Sequence, residues 1–303
     1  GTGSLTQAGT GTLTLSGNNT YTGGTTLSGG TLNAGSGNAL GSSGTISFGG
    51  GTLQYSAANQ ADYSNRFGTA ASQAYSIDTN GQNVTLASAL SSTDGTLTKT
   101  GTGTLTLSGA NTYSGTTTVS AGTLNVGGGG STGSIANSAV INNANFTVDR
   151  SDAIALASLV GGTSITGTGN ITVRSNAGVN INRTINLSGA NSTITLLAGN
   201  ATVAGTASGG DVTLSNTITT SSAGTVTIFS GNAATSALDA KISGATGGKA
   251  KTYNVATAAT SAATAGARNI YYRVAPTITV SGITANDKTY DGTVVASLVT
   301  SEA

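Results

Sequence analysis

Carboxylates beside an arginine are the side chains in this chain best suited to catalysis. Asp149, Arg150 and Asp152 form a tight charge cluster. Carboxylates with an arginine or a bound calcium ion could cleave a polysaccharide. Both carboxylates lie in one short segment, whereas such enzymes gather them from neighbouring segments of chain. We therefore expect a solvated turn rather than a catalytic centre.

Three more carboxylates, Asp62, Asp78 and Asp94, are spread through the first third of the chain. They could bind calcium if successive segments stack in alignment. Asp is also an ordinary turn residue, and that is the role we expect. The glycine run Gly127 to Gly130, followed by Ser131, lacks the Gly-Lys-Ser/Thr ending of a phosphate loop and is read as a flexible turn. We predict no catalytic, metal-binding or cofactor-binding residue.

The residue types that the chain lacks exclude whole classes of function. It contains no Cys and no His, which removes Ser-His-Asp triads, cysteine nucleophiles and ordinary zinc or haem sites. Its 11 Lys and Arg are balanced by 10 Asp and Glu, so there is no basic footprint for nucleic acid. The chain contains no apolar run of about 18 residues, so no membrane span is predicted. We expect a chain that is not an enzyme.

Two tyrosines and the abundant threonines are the remaining candidates for surface contacts. Tyr21 and Tyr113 stand in equivalent Asn-Thr-Tyr words. An exposed tyrosine could stack on a sugar, while the more ordinary role is to cover a hydrophobic corner. Thr-X-Thr words could line a flat ice-binding face, although Thr also suits the wet face of any strand. These words are Thr12/Thr14, Thr104/Thr106, Thr193/Thr195 and Thr225/Thr227.

An internal duplication indicates how the chain is built. Residues 9–35 and 101–127 are identical at 21 of 27 positions with a shift of 92 residues. Each copy contains short alternating groups such as Thr12-Leu13-Thr14-Leu15, separated by Gly, Ser and Asn. This pattern is typical of very short strands joined by turns.

The spacing of the apolar groups predicts the fold. Further strand centres fall six to nine residues apart at Ile171, Val179, Ile185, Ile194, Val203, Val212, Ile218 and Val226. Three such strands make a coil of about two dozen residues that stacks on the next one. We predict an all-β chain folded as a parallel, right-handed β-helix of roughly twelve coils, on the order of 60 Å long. A β-sandwich is the alternative.

Specific sequence motifs in the chain resemble those of known families. Residues 3–35 and 77–127, with Gly-Thr-Leu-Thr-Leu-Ser-Gly, Asn-Thr-Tyr and Gly-Thr-Leu-Asn, resemble the autotransporter-associated β-strand repeat of type V secretion passengers. Residues 164–229 resemble the coils of filamentous-haemagglutinin-like exoproteins. Residues 278–298, with Tyr290-Asp291-Gly292, are similar to the opening of a YDG module. The resemblance implies a β-helix exported through an outer-membrane secretion partner.

Changes in composition divide the chain into four predicted parts. Residues 1–130 form a β-helix block of autotransporter-type repeats, and residues 131–232 form a second block of haemagglutinin-like coils. Residues 233–275 are an irregular cap or linker, and residues 276–303 begin a YDG-like module. The stretch from Gln60 to Gln73 departs from the repeats and is expected to be a long loop or an irregular coil.

These observations favour a structural or adhesive role outside the cell. We expect a stiff stalk on the bacterial surface or in the extracellular space that mediates adhesion, aggregation or formation of a filament or biofilm matrix, as a fragment of a larger exoprotein. Its expected partners are further copies of itself, neighbouring cell surfaces and glycans. The alternative is a β-helical protein that binds or processes polysaccharides.

Overall fold

The computed structural model describes residues 1–199, 210–232, 238, 241–245, 249–253 and 266–274. The YDG-like stretch and most of the predicted cap or linker lie outside these residues, so those two parts stay predictions.

Short strands account for most of the regular structure. The strands of the amino-terminal part are β1 (Leu5–Gln7), β2 (Thr12–Leu15), β3 (Thr25–Leu27), β4 (Thr31–Ala34), β5 (Ile46–Phe48), β6 (Thr52–Gln54), β7 (Ala74–Asp78), β8 (Asn83–Leu86), β9 (Thr96–Thr100), β10 (Thr104–Leu107), β11 (Ala110–Asn111), β12 (Thr117–Val119) and β13 (Thr123–Val126). The later strands are β14 (Ser134–Ile135), β15 (Val140–Asn142), β16 (Asn145–Arg150), β17 (Ile154–Ala155), β18 (Ser164–Gly167), β19 (Asn170–Ser175), β20 (Val179–Ile181), β21 (Thr184–Leu187), β22 (Thr193–Leu197), β23 (Val212–Leu214), β24 (Ile218–Thr219), β25 (Thr225–Asn232), β26 (Ile242–Ser243), β27 (Lys249–Tyr253) and β28 (Arg268–Val274). The helical elements with described bounds are a 3-10 turn at Ser64–Arg66 and one α-helical turn, α1, at Leu156–Leu159. Lys241 is also in 3-10 conformation.

Parallel pairing stacks these strands into a β-solenoid, which confirms the predicted fold class. Sheet 1 has eleven strands in the order β2-β4-β6-β7-β9-β12-β15-β18-β21-β24-β26. Sheet 2 has nine strands in the order β8-β10-β13-β16-β19-β22-β25-β28-β27. The third side carries the shorter sheets β1-β3-β5, β11-β14 and β17-β20-β23. Eleven stacked strands correspond to ten turns, about two fewer than the roughly twelve expected, and to a length of about 50 Å.

Alternation along each strand builds the core. In β16 the burial pattern is exposed, buried, intermediate, buried, intermediate, buried, so Phe146 and Val148 point inward. Phe146 is in register with Ile171, and Ile171 with Ile194, so that each coil packs its apolar residue on the previous one. Burying one such side chain contributes about 2 kcal/mol. The predicted strand centres at Ile171, Val179, Ile185, Ile194, Val212, Ile218 and Val226 all lie in strands, and Val203 lies outside the described residues.

The segment from Gln60 to Gln73 is the irregular coil that its composition indicated. It contains the Ser64–Arg66 turn and a bridge in which Phe67 pairs with Ile46. The Phe67 ring packs edge-on against Phe48 with ring centres 4.9 Å apart. Aromatic burial thus replaces regular pairing in this coil.

The two copies of the duplicated word lie on different sides of the solenoid. In the first copy, β1 and β3 lie on the third side and β2 and β4 in sheet 1. In the second copy, β9 and β12 lie in sheet 1 and β10 and β13 in sheet 2. The shift of 92 residues therefore spans four turns plus one additional strand.

Both long sheets continue across residue 130 without interruption, because β13 pairs with β16 and β12 with β15. Neither described helix is long and apolar enough to cross a membrane.

Candidate functional surfaces

The two tyrosines occupy different environments in spite of their identical words. Tyr113 is 0% exposed, and its hydroxyl lies 2.6 Å from the Thr117 hydroxyl. Thr117 in turn lies 2.6 Å from the hydroxyl of Ser138. Burial raises the pKa of Tyr113 above its usual value. A surface contact through Tyr113 is therefore wrong for this structure, because the ring is fully covered.

Tyr21 keeps part of its ring accessible. The residue is half-buried and its hydroxyl lies 2.8 Å from the Thr25 hydroxyl. Gly41 approaches the ring so closely that a Cβ there would lie 3.0 Å from the ring carbons. The proposed contact at Tyr21 stays a prediction.

The charge cluster around Arg150 holds a loop together. The Arg150 Nε lies 2.8 Å from Asp152 Oδ1, and Nη1 donates to the Gly133 carbonyl at 2.8 Å. Nη2 also donates to the Ser131 carbonyl. Arg150 is only 8% exposed, and its hydrogen bond lowers the pKa of Asp152. The glycine loop is thus fastened by an arginine rather than arranged around a phosphate.

The side chain of Asp149 points to the outer face of β16, away from the hydrogen bonds that Arg150 makes with the loop. Its Oδ2 lies 2.5 Å from the Nη2 of Arg174 in the next coil, where the two residues are in register. This hydrogen bond raises the pKa of Arg174. The predicted Asp149, Arg150 and Asp152 cluster is therefore divided into two ion pairs with separate structural tasks.

Asp62 and Asp94 lie between strands, and Asp78 is the last residue of β7, just before a turn. Asp62 accepts hydrogen bonds from the backbone N–H groups of Ser64 and Ala87, at 2.8 and 2.9 Å. Asp78 accepts from the Asn80 backbone N–H at 2.8 Å. Asp94 has a positive φ of 57°, as turn residues of this type tolerate. The described part of the chain contains no group of three acidic residues placed to hold a metal ion.

A shallow groove of about 490 Å³ lies beside the irregular coil. Arg66 lines it, but the guanidinium donates to the carbonyls of Leu40, Gly41, Ser43 and Gly44 at 2.6 to 3.1 Å. Burial lowers the pKa of Arg66. Because its guanidinium donates to four carbonyls of residues 40–44, Arg66 holds this turn of the solenoid in place rather than facing a ligand in the groove.

Lys99 in the second copy and Gln7 in the first copy are at equivalent positions, and both side chains are buried. Lys99 is 0% exposed, and its Nζ donates to the carbonyls of Thr100, Gly101 and Ala121 at 2.6, 2.7 and 3.2 Å. Burial lowers the pKa of Lys99 to about 8. In the first copy the Gln7 Nε2 donates to the carbonyls of Gly9 and Gly11 at 3.1 and 3.2 Å. Strand alternation puts Lys99 on the same inward side as Leu97, two residues earlier, although a lysine is rarely fully buried.

Sheet 2 presents a regular array of Thr and Asn. We call it the Thr/Asn face, and it consists of the first two outward residues of β8, β10, β13, β16, β19 and β22: Asn83, Thr85, Thr104, Thr106, Thr123, Asn125, Asn145, Thr147, Asn170, Thr172, Thr193 and Thr195. The next outward residues of β16 and β19, Asp149 and Arg174, form their ion pair beside this array. The residues of the Thr/Asn face are in register in two columns. All are exposed or half-buried, whereas Thr225 and Thr227 of β25 are buried.

Two comparisons with known proteins gave no match: no curated protein and no solved structure is similar to the chain. A third comparison, with family models, did match. Residues 5–34 and 97–126 match the family described as passenger-associated-transport-repeat. These matches overlap the duplicated segments 9–35 and 101–127, and they span β1 to β4 and β9 to β13. The resemblances to haemagglutinin-like coils and to a YDG module stay predictions. Two segments of the β-solenoid thus match the passenger-associated-transport-repeat family, as fits the passenger region of an autotransporter.

Proposed function

We propose that the chain is a rigid structural and adhesive segment of a bacterial exoprotein, displayed on the cell surface or released from it. The observation that carries this proposal is the uninterrupted eleven-strand sheet 1, whose coils share one apolar core. A solenoid in which each coil contacts its neighbours propagates stiffness along its axis. Such a rod can hold a binding segment away from the cell, and the passenger-type repeats support export to that location.

Low charge supports a role in association between copies. The formal net charge is +1 over 303 residues, so electrostatic repulsion between rods is weak. We propose that contacts between rods, or with neighbouring cell surfaces, produce aggregation. Binding without turnover is the mode of action that this composition favours, because the chain lacks His and Cys.

The test is a clumping assay with purified protein. Beads coated at several densities are followed by light scattering across a range of salt concentrations, with albumin-coated beads as the control. Clumping that increases with coating density and persists in salt is the expected result. Beads that stay dispersed at every density, with a monomer in ultracentrifugation at high concentration, would contradict self-association.

The alternative, processing of polysaccharides, has its own readout. Incubation with acidic and neutral glycans, followed by measurement of new reducing ends or unsaturated products, is expected to show no product. Product formation that is lost in Asp149→Asn or Asp152→Asn would overturn the non-enzymatic proposal.

A further inference from the structure

One turn of the solenoid combines an exposed position with a reactive pair of residues. Asn80 and Gly81 join β7 of sheet 1 to β8 of sheet 2, and both are exposed. Their φ values are positive, 47° and 82°, and the Gln82 N–H donates to the Thr79 carbonyl at 2.8 Å. This is a type I′ turn, which favours Asn followed by Gly. Asn80 is the only asparagine of the chain that a glycine follows.

An Asn-Gly pair can close a succinimide ring on itself. The Gly81 backbone nitrogen attacks the Asn80 Cγ, the bond from Cγ to Nδ2 breaks, and Nδ2 leaves as ammonia with the former Gly81 amide proton. Water then opens the ring at one of its two carbonyls. The product is aspartate, or isoaspartate, in which the main chain runs through the former side chain. No oxidant or reductant takes part, and a glycine has no Cβ that would hinder the closure.

The exposed asparagine nearest in sequence lacks this combination. Asn83 lies in β8 and precedes Val84, whose branched side chain crowds the backbone nitrogen that would have to attack. The pairing of β8 with β10 also holds the Asn83 backbone in an extended conformation. Asn83 is therefore an internal reference for the reactivity of an exposed asparagine in this chain.

Neighbouring coils restrain both reacting groups of the turn. The Asn80 Nδ2 donates to the Tyr55 carbonyl of the preceding coil at 3.2 Å, and the Gly81 N–H donates to the Thr102 carbonyl of the following coil at 2.8 Å. Their release requires only local opening of an exposed turn, which costs less free energy than global unfolding. The ring is therefore expected to close slowly in the folded protein and faster once the coils separate.

We propose that Asn80 is a site of spontaneous deamidation whose product weakens the stacking of the coils on either side. An ionised carboxylate cannot donate to the Tyr55 carbonyl, so that bond is lost. The new charge also lies beside Asp78, whose Oδ1 accepts from the Asn80 backbone N–H at 2.8 Å. Two carboxylates this close repel each other. Isoaspartate in addition lengthens the main chain of the turn.

The experiment incubates the folded 303-residue protein in mildly alkaline buffer and locates deamidation by mass spectrometry. Trypsin cleavage after Arg66 and Lys99 leaves Asn80 and Asn83 in one peptide, residues 67–99. A sample digested without incubation corrects for reaction during the digestion. We expect deamidation at Asn80 to be many-fold faster than at Asn83, and incubation in concentrated urea to accelerate it further.

Asn80→Gly is the matched variant, because glycine tolerates the positive φ and has no side-chain amide. Calorimetry is expected to show a lower Tm for incubated wild type than for a fresh sample, and no change for incubated Asn80→Gly. Absence of deamidation at Asn80 in the folded protein, or an equal rate at Asn83, overturns the proposal. An unchanged Tm in fully modified wild type, or an equal fall in Asn80→Gly, overturns the weakening of the coils. The clumping assay measures association and is independent of these outcomes.

Discussion

The first and second copies of the duplicated word differ in the side of the solenoid that they occupy. Residues 5–34 contribute strands to the third side and to sheet 1, and residues 97–126 contribute the matching strands to sheets 1 and 2. Inward Leu32 and Leu124 are both 0% exposed, so the core position of the word is kept. The word thus encodes strand, turn and strand with a buried leucine, but it does not encode a particular face.

The difference in location changes what the same side chains do. Tyr113 is covered completely, whereas Tyr21 is half-buried. Asn33 donates to Gln54 at 2.6 Å, while its equivalent Asn125 has a buried Oδ1 without a hydrogen-bond partner among the described residues. Contacts with neighbouring coils, rather than the repeated motif itself, therefore decide whether the tyrosine ring is buried and whether the asparagine side chain has a hydrogen-bond partner.

The turn glycine before the last strand of each copy, Gly30 before β4 and Gly122 before β13, has the same surroundings although Gln7 in the first copy is replaced by Lys99 in the second. Gly30 and Gly122 have positive φ values of 57° and 66°. A Cβ on Gly30 would lie 3.0 Å from the Gln7 Nε2, and one on Gly122 would lie 2.9 Å from the Lys99 Nζ. A donor from the preceding coil thus approaches the same glycine in both copies, once as a neutral amide and once as an ammonium.

The largest expected difference between the copies concerns the tyrosines. We expect Tyr113→Ala to lower the free energy of unfolding by about 4 kcal/mol, because it leaves a cavity in the core. Tyr21→Ala should cost about 1.5 kcal/mol, because less area is buried. Urea denaturation of both variants, followed by circular dichroism, measures the two values. Equal losses would contradict the assignment of different environments.

The second largest effect on the free energy of unfolding is expected when the donor side chain near the turn glycine, Lys99 or Gln7, is removed. Lys99→Met keeps the volume but leaves three carbonyls without their donor, and we expect a loss of about 3 kcal/mol. Gln7→Met removes two bonds in a less buried place and should cost about 1 kcal/mol. Lys99→Gln, which introduces the residue of the first copy, should recover part of the loss. The same denaturation measurement checks all three, and a full loss in Lys99→Gln would show that the charge itself is required.

The ammonium of Lys99 also predicts a pH dependence that the first copy lacks. Its pKa is lowered to about 8 in the folded protein from the ordinary 10.5. The folded state therefore releases this proton before the unfolded state does, and the free energy of unfolding should rise between about pH 8 and 9.5. Denaturation of wild type and Lys99→Gln across this range measures the effect, and the variant should lack the rise. The range stays below the ionisation of unfolded tyrosines at about pH 10.

The smallest effect has opposite signs in the two copies. Asn125→Thr removes a buried amide oxygen that has no partner among the described residues, and should stabilise the protein by up to about 1 kcal/mol. Asn33→Thr breaks the bond to Gln54 and should destabilise it by about 0.5 kcal/mol. Differential scanning calorimetry of the two variants gives the sign from the change in Tm. A decrease in both would indicate that Asn125 has a role on the Thr/Asn face beyond its unpaired oxygen.

Local patterns in the chain were enough to predict much of the architecture. Alternating Thr and Leu placed Leu105 and Leu107 inside and Thr104 and Thr106 outside, because side chains of a strand alternate between its two sides. The spacing of apolar centres indicated the coil size and the strands of the later part. The absence of Cys and His also limited the chemistry that the chain can perform.

Features that depend on the sum of many coil lengths could not be predicted from local patterns. Register partners are 19 residues apart at Thr12 and Thr31 and 33 residues apart at Ile185 and Ile218. Because the coil lengths vary, a repeated sequence motif can lie on one side of the solenoid in one copy and on the next side in another. No local sequence pattern indicates this change of side. The full burial of Tyr113 and the alignment of the Thr/Asn face both follow from it.

The strand-turn-strand word, its buried leucines and the near-neutral charge of this protein follow from the amino-acid sequence alone. Period-two patterning and turn residues act over a few neighbouring residues, so they can be read directly. The stacking of coils in the folded chain, by contrast, sets which coil lies above which residue, and so which hydroxyls bond within the chain and which face outward. Such contacts join residues about 20 or more positions apart, where the accumulated register sets the partner.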